Sequence, residues 1–124
     1  NYRKVFNHVR NIPDDIAKEI IQRGGIIGVN FLRAFVNNED SNVLYQHINY
    51  GIELGGFNSI CFGADYFGTD SHPDRSRVPF YFKEHADASR YPSIIETISQ
   101  QVSPDAIEGI SSKNVMSYLI ELWK

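Results

Sequence analysis

The stretch "NSICFGAD", residues 58–65, decides the fold. Its apolar and small side chains run without polar interruption between glycine-marked ends, the pattern of a strand buried on both faces of a sheet. Its last residue is Asp65. In parallel sheets, ligands and chemistry gather at the carboxyl ends of strands, so an acid placed there is a candidate for catalysis. The alternative for the same residue is a turn or helix-capping aspartate close to Gly68.

Working outward, "GIIGVNF" at 25–31 is a short β-branched run that reads as a second buried strand. Between the two lies "SNVLYQHINYGIELGG", 41–56, a helix with Val43, Leu44, His47, Ile48 and Ile52 on or near one face, stopped by Gly55 and Gly56. Strand, helix, strand in that order requires a right-handed crossover and a parallel pair. Ahead of them "NIPDDIAKEIIQRGG", 11–25, carries a polar cap, a first-turn proline, paired acids near the positive end and Ile16, Ile20 and Ile21 at helical spacing. After the second strand, "GTDSHPDRSRVP" at 68–79 is too polar and turn-rich for regular structure. Three helical stretches follow: "PSIIETISQQV" from Pro92, "SPDAIEGISS" from Ser103 and "KNVMSYLIELW" from Lys113. The chain is thus α/β, a single segment over 1–124 with extra helices at its C-terminal end and no linker or repeat. Two parallel strands alone would leave apolar faces and edges unpaired, so further strands are expected to join them.

Composition limits the function classes. The 124 residues are 42% hydrophobic and 22% charged, as in a folded soluble domain. A net charge of −3, with twelve basic residues scattered among fifteen acidic ones, leaves no electrostatic footprint for nucleic acid. No apolar run approaches the roughly 18–20 residues of a transmembrane helix, and "IELWK" is not a lipid-anchor tail, so a soluble chain is expected. The lone Cys61 lies in the strand run, where it reads as a small buried hydrophobe.

Four histidines, His8, His47, His72 and His85, fall at no ligand spacing, and His47 belongs to the apolar face of its helix. "DSHPD", 70–74, offers mixed donors, but a solvated loop accounts for it equally well. Arg10 is either an exposed charge at a helix entry or a fork that grips a carboxylate. There is no nucleophile elbow, and "GGIIG" leads into a strand instead of out of one, so it is not a phosphate loop.

In order along the chain, "HVRNIPDD" from His8, "GGIIGVNF" from Gly24, "FGADYFG" from Phe62, "DASRYPSII" from Asp87 and "SSKNVMSYL" from Ser111 resemble the membrane (renal) dipeptidases, zinc enzymes of the amidohydrolase type. Each motif is weak alone; five in the right order and spacing make the match. The resemblance implies a (β/α)8 barrel with a two-zinc centre at its C-terminal face and hydrolysis of dipeptides. This chain would be the C-terminal portion, its two strands the last of the barrel, with the remaining N-terminal part of the barrel and a dipeptide substrate as partners and a homodimer as its assembly. The zinc ligands would lie before Asn1, so the fragment alone is expected to be inactive and to contribute no metal ligand. The resemblance further implies that Asp65 shuttles the proton, that Arg10 holds the substrate carboxylate and that Phe35 lines the substrate pocket. The chain departs from the family pattern at Phe67, where a second acid is usual, at Tyr50, where many relatives carry histidine, and in the loop 69–82. A barrel homologue that keeps the scaffold without the chemistry is the alternative.

Overall fold

A computed structural model describes residues 1–124. Its sheet is a parallel pair, β1 (Ile27–Val29) and β2 (Ile60–Phe62), with Ile27 opposite Ile60, Gly28 opposite Cys61 and Val29 opposite Phe62. Both are shorter than the apolar runs that predict them. The pairing nonetheless continues beyond the strands toward Asp65. Gly63 N–H donates to Val29 O at 3.0 Å and Phe31 N–H to Ala64 O at 3.3 Å. Gly28 and Gly63 make this close approach feasible, because a Cβ at Gly63 would stand 2.8 Å from the Gly28 Cα. Burial on both faces is incomplete, since Gly28 is exposed between buried Ile27 and Val29.

Helix α1 (Asp14–Gln22) begins two residues later than the cap motif suggests, with its N-cap at Pro13 and not at Asn11. Pro13 is extended at the N-cap, and Asp14 and Asp15 meet the positive end of the helix. A short α2 (Arg33–Val36) follows β1. It is too brief to carry helical periodicity, and neighbouring chain segments hold it: Leu32 bridges to Tyr81, and Arg33 N–H donates to Phe80 O at 2.9 Å. The crossover helix α3 (Val43–Glu53) buries Val43, Leu44, His47 and Ile48 against the sheet. Its Tyr50 hydroxyl donates to Asp14 Oδ2 at 2.7 Å, tying α3 to α1.

Helix α4 (Tyr91–Ser99) leads to α5 (Pro104–Glu108), capped by Ser103, and to α6 (Asn114–Leu122). The stretches read as separate helices at 103–112 and 113–123 are joined by a π-helical turn over Gly109–Lys113. Asn114 is the physical reason: its buried amide donates to Phe57 O and Ile60 O, both at 2.8 Å. A side chain at Gly109 would crowd that amide at 3.0 Å. Two backbone carbonyls at the sheet are thereby satisfied by widening one helical turn. The 68–79 loop is irregular apart from one 3₁₀ turn, Arg75–Arg77, opened by Asp74 accepting from Ser76 N–H.

The core is continuous from Tyr2 through Val29, Phe31, Leu44, Ile48 and Ile60 to Ile94, Ile98 and Ile110. Each fully buried aliphatic or aromatic side chain there contributes on the order of 1.5–3 kcal/mol. His47 is fully buried within it, accepting from Tyr2 N–H at 3.1 Å and donating to Val36 O at 3.0 Å. Cys61 is buried and unpaired, and burial pushes its thiol up. No helix is long and apolar enough to cross a membrane.

Candidate functional site

Asn30 follows β1 and Asp65 lies three residues past β2, so both carboxyl ends of the strands terminate in a polar side chain. Asp65 adopts a left-handed backbone, φ 63°, a conformation that aspartate tolerates better than most residues. That turn is secured when the Tyr81 hydroxyl donates to Asp65 O. Burial, reinforced by the Asp65 charge, pushes the Tyr81 phenol up to about 12, so it remains a donor at any physiological pH.

The Asp65 carboxylate is oriented by Asn30, whose Nδ2 donates to Oδ2 at 2.9 Å. Asn30 is itself held: its Oδ1 accepts from Leu32 N–H at 2.8 Å, its N–H donates to Asn1 Oδ1 at 2.7 Å and its O accepts from Asn1 Nδ2 at 3.1 Å. Four hydrogen bonds therefore stand behind one oxygen of Asp65. The other, Oδ1, has no protein donor and is free to take a proton or a substrate hydrogen bond.

Arg10 reaches the same place from a different segment. The Asn11 side chain donates to Phe6 O and Phe35 O, both at 2.9 Å, fastening the turn that carries Arg10 to α2. The Arg10 guanidinium then lies over the Phe35 ring, 4.9 Å from its centroid. Phe35 is buried, with the His8 ring against it at 5.1 Å. It serves as a platform that positions a cation. The Arg10 guanidinium makes no hydrogen bond to the protein, leaving its fork open.

Arg10, Phe35 and Asp65 line one cavity of about 580 Å³. The three positions singled out from sequence are thus brought together, although they are 25 and 30 residues apart. Phe67, His72 and Phe80 form an aromatic wall of that cavity, with ring centroids at 4.8–5.6 Å. Sequence reasoning missed Asn30, Tyr81, Arg33 and Arg77. Asn30 carried a usable signal, a polar residue closing an apolar run as Asp65 does. The others depend on a loop folding back, which no local pattern records. His72, in "DSHPD", is occupied within its own loop, its Nδ1 accepting from Asp74 N–H at 3.1 Å. No group of three or more His, Cys, Asp or Glu side chains converges to hold a metal ion. The residues of this chain do not by themselves fit a zinc centre.

A strand-end carboxylate with one free oxygen, sharing a cavity with an open guanidinium fork, can accept a proton at one point and grip a carboxylate at another. Comparison with known proteins bears on the family of the chain. The sequence model for the membrane dipeptidases, peptidase family M19, matches residues 1–121. Dipeptidase aclJ of Aspergillus oryzae is 28% identical over 118 residues, covering 90% of this chain and 26% of that protein. Dipeptidase tcpJ of Claviceps purpurea is 27% identical over 120 residues, 93% of this chain and 26% of the relative. An uncharacterized dipeptidase of Schizosaccharomyces pombe is 27% identical over 126 residues, 97% and 28% respectively. The chain spans about a quarter of the length of these curated relatives. By a match that runs nearly end to end, this chain belongs to the membrane dipeptidase family.

Proposed function

We propose that this chain supplies the carboxylate clamp and the proton-shuttling acid of a zinc-dependent dipeptidase. In this reading it forms the C-terminal staves and outer helices of a (β/α)8 barrel. The family is metal-dependent; two zinc ions would serve the complete protein, with ligands from outside this chain. The observation that carries the reading is the shared cavity of Arg10, Phe35 and Asp65.

Arg10, seated on Phe35, binds the terminal carboxylate of the dipeptide through its planar fork and so sets the register of the peptide bond. Asp65, its Oδ2 held by Asn30, accepts through Oδ1 a proton from the water that attacks the peptide carbonyl. It returns that proton to the amine nitrogen as the C–N bond breaks, so the acid ends as it began. A scaffold without chemistry is the competing reading, favoured by Phe67 standing where a second acid is usual.

The test is Arg10→Met in the full-length protein, assayed on a free dipeptide and on the same dipeptide as its C-terminal amide. Loss of a charge-assisted, bidentate contact should raise KM for the free dipeptide about 10- to 100-fold and leave the amide little changed. Equal effects on both substrates would overturn the clamp. No hydrolysis of any dipeptide by the unmutated protein would favour the scaffold.

A further inference from the structure

The cavity contains more positive charge than a terminal carboxylate requires. Arg10, Arg33 and Arg77 all line it, against the single carboxylate of Asp65. Arg33 is committed to structure: its Nη1 donates to Pro79 O at 3.2 Å, its Nη2 to Asn38 O at 2.7 Å, and its guanidinium lies over Phe82. Arg77 is not. Its one ionic neighbour is Asp74, at a loose 3.5 Å through Nε, with both side chains about half exposed or more. The other oxygen of Asp74 is taken by the N–H and hydroxyl of Ser76, at 3.0 and 2.5 Å. The two Nη groups of Arg77 therefore donate to nothing in the protein, and beyond its loose contact with Asp74 the fork is open, as that of Arg10 is. Two open forks in one cavity suit a ligand with two anionic groups.

We propose that Arg77 is a specificity-determining residue that selects dipeptides carrying a second carboxylate, an aspartate or glutamate side chain. The inference rests on the dipeptidase reading, with Arg10 taking the terminal carboxylate. The Arg75–Arg77 turn delivers Arg77 to the cavity from the 68–79 loop and not from a strand end, so its role is recognition and not proton transfer.

The experiment measures kcat/KM of the full-length protein for Ala-Glu against Ala-Gln and for Glu-Ala against Gln-Ala, with Ala-Ala as reference. The acid should be preferred over its amide about tenfold or more in at least one pair, as a charge-assisted contact provides. Arg77→Gln should bring that ratio close to one, acting through KM. Arg77→Glu should reverse it, so that the lysine counterpart of the preferred substrate exceeds the glutamine one, an outcome that simple misfolding cannot produce. If Ala-Ala is cleaved but acid and amide are equal, or if Arg77→Gln leaves the ratio intact, the selectivity inference fails alone. If no dipeptide is cleaved, the dipeptidase reading fails and the inference with it.

Discussion

Replacing Gly63 by alanine tests whether the site is built on the glycine-to-glycine contact between the strands. The new Cβ would stand 2.8 Å from Gly28 Cα and 3.0 Å from Gly28 C, where ordinary contact begins near 3.4 Å. Those neighbours are backbone and cannot rotate away, so the strands must part by about 0.6 Å, the difference between 3.4 and 2.8 Å. The Gly63 N–H to Val29 O bond, now 3.0 Å, would stretch toward the edge of hydrogen-bonding distance. Overpacking costs about 1–3 kcal/mol and the weakened bond about 1 kcal/mol. Stiffening of the unfolded chain offsets about 0.4–1 kcal/mol, leaving a net loss of about 2 kcal/mol. Gly68→Ala is the control, since nothing lies within 4 Å of a Cβ there. Urea unfolding followed by circular dichroism should give a lower midpoint for Gly63→Ala at unchanged slope, with Gly68→Ala within about 0.5 kcal/mol of the parent. Equal stability of Gly63→Ala and the parent, or an equal loss in the control, would refute the close-approach argument.

Three further outcomes follow from other contacts. Asn30→Ala removes the amide that orients Asp65, and kcat of the full-length protein should fall about tenfold with little change in KM, the mark of a positioning residue; an unchanged kcat contradicts the role. Tyr50→Phe deletes the hydroxyl bonded to Asp14, which is partly exposed, and unfolding free energy should drop by only about 0.5–1 kcal/mol; a loss of several kcal/mol would mean the contact between α1 and α3 depends on it far more. Burial holds the His47 imidazole down to about 4 from 6.5, so the unfolded chain takes up the proton first. Stability should fall as pH drops from about 6.5 to about 4, by roughly 3 kcal/mol from this group, and His47→Gln should flatten that part of the curve measured by urea melts; identical pH slopes for the two proteins would contradict it.

The parallel pair was legible because "GIIGVNF" and "NSICFGAD" are short, apolar and separated by one helix, and that order admits one handedness. Their observed lengths were not legible, since pairing at Phe31 and Ala64 depends on where the opposite backbone stops. The π turn at Gly109–Lys113 was hidden because its cause, Asn114 reaching Phe57 and Ile60, spans more than fifty residues. Asp65 stood out by position and Arg10 by resemblance, yet what brings them together is Asn11 bonding Phe35 and Asn30 bonding Asp65. These are long-range side-chain bonds with no periodic trace. Arg33 and Arg77 were opaque for the same reason: both are ordinary loop or helix-start arginines until Pro79 and Phe80 fold over α2.

The role of Asp65 is tested most directly by Asp65→Asn, which keeps the size of the side chain and tolerates the left-handed backbone. Turnover of a dipeptide by the full-length protein should fall at least about a hundredfold, as loss of a general acid or base does, with bound zinc and unfolding midpoint near those of the parent. Turnover within a few-fold of the parent, at equal zinc content, would contradict the assignment of the proton to this carboxylate.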